Sequence, residues 1–103
     1  MALAGGQVSV TSTAQNLTTL LSRTANASQN RCFAVEVENS STTIIYEGPS
    51  TVTSVPANAR GSVPGVVGAR WWSQPPGFGE HITTDEVYLV ASTTVTAYVR
   101  LYQ

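Results

Sequence analysis

Along most of the chain, apolar and polar positions alternate in short runs, and turn residues rather than helix caps bound those runs. Gln7-Val-Ser-Val-Thr-Ser12 puts Val8 and Val10 on one face, as a strand lying on a core would. Asn16 to Leu21 carries Leu17, Leu20 and Leu21 at helical spacing but is too short to specify a helix, so it reads as an irregular strand or one turn. A polar loop, Ser22 to Asn30, leads into Arg31-Cys-Phe-Ala-Val-Glu-Val-Glu-Asn39. There Phe33, Val35 and Val37 share one face, and Glu36 and Glu38 share the other. Thr42-Thr-Ile-Ile-Tyr-Glu47, the turn pair Gly48-Pro49, and Val52 to Val55 stopped at Pro56 predict two short strands with a tight connection.

Between Pro56 and Gly79 this rhythm breaks, with prolines and glycines interrupting every run. Only Ala69-Arg-Trp-Trp-Ser73 reads as a strand within it, and so long a connection in a small domain points to a functional surface. Regularity returns with Glu80 to Thr83, Val87-Tyr-Leu-Val-Ala91 and Val95-Thr-Ala-Tyr-Val-Arg-Leu-Tyr102, with Ser92-Thr-Thr94 expected as a hairpin connection. In the last run Val95, Ala97, Val99 and Leu101 point inward, leaving Thr96, Tyr98, Arg100 and Tyr102 on the opposite face. About seven or eight short strands follow, an all-β, two-sheet β-sandwich of jelly-roll or immunoglobulin-like type. Residues 1–103 make one domain, with 56–79 as its Pro/Gly-rich loop region.

Charge is sparse, at 11% of residues against about 25% in an average domain. Every cation is an arginine, and Arg23, Arg31, Arg60, Arg70 and Arg100 are spread singly against six acids for a net charge of -1. No basic stripe exists to follow a phosphate backbone, so nucleic acid is not an expected partner. No apolar run reaches the roughly 20 residues that span a bilayer, so no membrane role is expected. Met1-Ala-Leu-Ala-Gly-Gly6 lacks the pattern of a secretion signal, and a single cysteine cannot form an internal disulfide. The sequons at Asn16, Asn26 and Asn39 therefore read as incidental to a Ser/Thr-rich chain. Near-neutral charge leaves little repulsion between copies and favours association.

Chemistry is equally sparse. His81 is the one histidine, in Glu80-His-Ile-Thr-Thr-Asp-Glu86. On a strand Glu80 and Ile82 point away from it, while Asp85 and Glu86 suit a turn, so no metal site is expected. Cys32 has no second cysteine at ligand spacing and reads as a small buried hydrophobe. No Gly-x-Ser-x-Gly elbow is present, and Pro64 interrupts the only glycine pair that resembles a phosphate loop. The chain is expected to be no enzyme and to use no cofactor. The distinctive residues suit an interface instead. Of Trp71 and Trp72 only one can fill the core of its own sheet, Phe78 extends the apolar patch, and Tyr98, Arg100 and Tyr102 form a face typical of contact surfaces.

Gln7 to Thr11, Arg31 to Asn39, Tyr46-Glu-Gly48, Gly79-Glu80, Asp85 to Ala91 and Thr96-Ala-Tyr-Val-Arg-Leu101 together resemble a small β-sandwich type among tailed-phage virion proteins. The pieces cover most of the chain, and each is a strand or turn pattern rather than a chemical signature. Pro56 to Phe78 departs from the type in being longer and more aromatic. The resemblance implies a capsid decoration or cement subunit on the capsid exterior of a virion, made in the host cytoplasm. It implies the major capsid protein as partner and a homo-oligomer, with a trimer favoured. The alternative is a tail- or fibre-associated module that binds carbohydrate or a receptor, with Trp71 or Trp72 and Phe78 as a stacking platform.

Overall fold

A computed structural model describes residues 3–24, 27–73 and 81–103. Among these, ten strands are β1 (Leu3–Val10), β2 (Gln15–Asn16), β3 (Arg31–Cys32), β4 (Ala34–Asn39), β5 (Ile45–Gly48), β6 (Gly61–Val63), β7 (Arg70–Ser73), β8 (Ile82–Thr83), β9 (Tyr88–Ala91) and β10 (Val95–Tyr102). One sheet has the order β1-β10-β4-β7, a second the order β2-β9-β5-β6, and β3 pairs with β8 alone. Setting that short pair aside leaves eight strands in nested antiparallel partnership: first with last (β1·β10), second with seventh (β2·β9), third with sixth (β4·β7), fourth with fifth (β5·β6). Wrapping this folded ribbon adds the pairs β10·β4 and β9·β5 and gives the jelly roll rather than the immunoglobulin arrangement.

The inner faces of both sheets meet in one core. Val8, Val35, Val37, Ala97, Val99 and Leu101 come from the first sheet and Ile45, Val63, Leu89 and Ala91 from the second, with Leu17 at the corner. β10 alternates buried and accessible positions along its whole length, as its sequence requires. The corner is a single helical turn, α1 (Leu17–Leu20). Asn16 caps it by accepting from the Thr19 amide at 2.8 Å, and Ser22, at φ 56°, ends it. Thr18 Oγ1 donates to Asp85 Oδ1 at 2.6 Å, tying this corner to the 3-10 turn Thr84–Glu86.

Several local expectations are corrected. Phe33 is not on the core face: the chain bends there between β3 and β4, Cys32 takes the inward place, and Phe33 is left 48% exposed with its ring 5.0 Å from that of His81. Ser92-Thr-Thr94 is no hairpin, because β9 and β10 belong to different sheets and the connection crosses between them. Val52 to Val55 forms no strand. Val52 N–H donates to Pro49 O at 2.9 Å in a turn, and β5 finds its partner in β6, inside the region expected to hold loops.

Candidate interaction face

Register fixes what lies on the outer face of the first sheet. Gly5, Arg100 and Glu36 stand in one row across β1, β10 and β4, and Gln7, Tyr98, Glu38 and Arg70 in the next, which continues onto β7. Two arginines thus straddle two glutamates. Arg100 Nη1 donates to Glu36 Oε1 at 2.8 Å and to Glu38 Oε1 at 2.9 Å. Arg70 reaches the same carboxylates from the other side, at 3.6 Å each. Charge on this face therefore sums to zero. Hydrogen bonding to Glu38 first, and to Glu36, raises the Arg100 pKa further above its ordinary value and keeps the guanidinium charged.

Glu36 is the unexpected member. Although it projects away from the core, it is only 1% exposed, and its Oε2 has no hydrogen-bond donor, leaving the Arg70 charge as its compensation. Beside this network Tyr98 stays 41% exposed. A shallow cavity of about 290 Å³ opens next to it, lined by Tyr98, Arg100 and the side-chain-free Gly5 and Gly6. Gly5 is required there. Its φ is +125°, and a Cβ would lie 2.0 Å from the Val99 carbonyl oxygen.

Of the residues singled out from sequence, Tyr98, Arg100 and Tyr102 come together along β10. Trp71 does not join them: opposite Val37 in register, it packs against the core and abuts Gly61, where a Cβ would sit 2.5 Å from the indole Nε1. It lines a second cavity of about 290 Å³ with Glu47, Arg60, His81 and Glu86. In that cavity Arg60 Nη2 lies 2.6 Å from the buried Glu47 carboxylate and donates to the Glu86 carbonyl at 3.1 Å. Phe78 and the Trp72 side chain lie outside what is described. Glu36, Glu38 and Arg70 were missed as site residues, although Glu-x-Glu on one strand and Arg100 at the same alternation on another was a readable charge pattern.

Burial pushes the Cys32 thiol pKa up, with the Arg23 charge opposing it more weakly, so the thiol stays protonated. Among the described residues no group of three or more His, Cys, Asp or Glu side chains is placed to hold a metal ion, and no helix is long and apolar enough to cross a membrane. Comparison with family models, with curated proteins and with solved structures gives no match to this chain.

Proposed function

We propose that this chain is a non-enzymatic structural subunit of a virus particle, a phage capsid decoration or cement protein that binds the major capsid protein on the shell exterior. The observation that carries the reading is the outer face of the β1-β10-β4-β7 sheet. It is charge-neutral and cross-linked by the Arg70-Glu36-Arg100-Glu38 network, and it presents exposed Tyr98 beside a cavity that glycines keep open. Aromatic and arginine side chains of this kind anchor protein interfaces, and neutralised charges lower the desolvation cost of covering them. Binding alone is the mechanism: a subunit that binds only the assembled shell stabilises it by mass action.

The test is to incubate purified full-length chain with virions or shells of the phage that encodes it and count bound copies by quantitative mass spectrometry. Stoichiometric occupancy that Tyr98→Ala with Tyr102→Ala reduces at least about tenfold is the expected result. Absence of the chain from particles sinks the reading. The cavity beside Trp71, with the buried Glu47 carboxylate paired to the exposed Arg60 and an aromatic wall, favours a second reading as a carbohydrate-binding module. Saturable glycan binding that Trp71→Ala abolishes would move the assignment there.

A further inference from the structure

Four strands form the edges of the two main sheets: β1 and β7 in the first, β2 and β6 in the second. An edge strand offers unpaired N–H and C=O groups, and proteins that stay apart protect such edges by shortness, charge, proline or bulging. β2 spans two residues and β6 three, while β7 spans four and carries Arg70. β1 is different. It runs for eight residues, Leu3–Val10, with neither a charged residue nor a proline. Its one irregularity, the positive φ of Gly5, does not interrupt the ladder, because all eight residues keep partners on β10. Among the described residues nothing outside β10 exchanges a backbone hydrogen bond with residues 3–10, and Gly5, Gly6, Gln7 and Ser9 are exposed.

We propose that β1 pairs antiparallel with β1 of a second copy of this chain, joining the two β1-β10-β4-β7 sheets into one across a two-fold axis. A second copy is the occupant because an antiparallel edge is its own complement in hydrogen bonding, the condition for an isologous contact. The strand brings no like charges together, and a net charge of -1 adds little repulsion at longer range. Register follows from parity. Residues directly opposite share a face, and the two core faces must be continuous, so the axis passes through a residue and not between two. With the axis at Gln7, Gly5 faces the partner's Ser9 and the two Gln7 amides face each other on the outer side. On the inner side Gly6 faces the partner's Val8, and space is open there, since a Cβ on Gly6 meets nothing within 4 Å. Ala4 faces the partner's Val10.

Such a contact joins copies in twos, in place of the trimer that the family resemblance implies. It deepens the assembly reading above by naming a self-contact, and its test does not involve particle binding. One strand pair buries less than the roughly 1,200 Å² of a stable interface, so the dimer is reversible and concentration-dependent. Sedimentation velocity of the full chain over a concentration series should therefore show a monomer–dimer equilibrium. Gln7→Lys, which sets like charges opposite each other at the axis, should weaken dimerisation about fivefold or more while the thermal melt of the monomer is retained. Gln7→Cys should oxidise to a disulfide-linked dimer, whereas Thr19→Cys, exposed on α1, should not; native Cys32 is buried and stays silent. A monomer at every concentration, a trimer, or a dimer that Gln7→Lys leaves intact and Gln7→Cys does not link would each overturn the contact. The virion reading would survive any of these if the chain still occupies particles.

Discussion

At Gly5 the backbone adopts a conformation that L side chains avoid, directly against the Val99 carbonyl, whereas its neighbour Gly6 faces open space. Gly5→Ala should thus cost about 3 kcal/mol by adding a clash to positive-φ strain, while Gly6→Ala should change stability by less than about 0.5 kcal/mol. Urea denaturation of the two variants measures the contrast, and equal effects would refute it. Glu36 poses a second residue-scale question, since a carboxylate with almost no water contact depends on Arg100 and Arg70. Removing Arg100 in Arg100→Met should cost about 2 kcal/mol, less than the roughly 3–5 of a fully buried pair because the arginine side chain keeps 35% of its exposure. Adding Glu36→Leu should recover part of that loss, and a double-mutant cycle reads the coupling directly. Cys32 supplies the pH dependence. Its folded pKa is raised by burial above the ordinary 9.0, so below that value both states hold the proton and the thiol adds no slope. Above it the unfolded thiol ionises first, and stability falls by up to about 1.4 kcal/mol per pH unit until the folded pKa is passed. Cys32→Val should flatten this alkaline decline relative to wild type, and an unchanged slope would assign the decline to other groups.

Elements with strict alternation and a single buried face were legible from the sequence alone: β10 and the Val35–Val37 part of β4 lie where the pattern put them. What the pattern could not supply was the partner. Period two says which side chains point inward but not which strand lies beside which, so β9 and β10 read as a hairpin although they cross between sheets. Phe33 failed for a related reason, because one bend shifts the phase by a residue and exchanges the inward place with Cys32. Within the Pro/Gly-rich region the sequence showed β7 but hid β6, since β6 is only three residues long and the connection between the two is held by polar contacts rather than apolar ones. Asn39 makes those contacts. Fully buried, it donates to Thr43 O at 2.7 Å and Pro64 O at 3.0 Å, and its Oδ1 accepts from Ser41 N at 2.9 Å. Asn39 O also accepts from Gly68 N at 2.7 Å. Asn39→Ala should cost about 2–3 kcal/mol by stranding buried carbonyls. Hydrogen exchange should show the Ser41 and Gly68 amides opening early while the β1–β10 ladder keeps its protection. Uniform loss of protection across the chain would mean that the clamp belongs to the global fold instead.

For the molecule as a whole, sparse charge and internal neutralisation act together. Sequence composition already announced a chain with little electrostatic reach, but the pairing of Arg70 and Arg100 with Glu36 and Glu38 needed the sheet order, because these residues come from three strands far apart in the chain. That Tyr98, Arg100 and Tyr102 share a strand was legible because β10 carries all three, whereas alternation left open which of Trp71 and Trp72 turns to the core; the Trp71 ring does, against Gly61 of β6. The consequence concerns how such a face binds. Guanidinium and carboxylate groups paired with each other do not release counterions or steer a partner, so under the proposed shell-binding role affinity would rest on burying Tyr98 and the glycine-lined cavity. Raising salt from about 0.05 to about 0.5 M should leave the dissociation rate from shells within roughly threefold, since screening acts on charges that face solvent. Arg100→Met should make the same rate faster and salt-sensitive by uncovering the Glu36 and Glu38 charges. A steep loss of binding with salt in the native chain would instead mean that the partner reads Arg70 or Arg100 directly, and would replace the aromatic anchor with an ionic one.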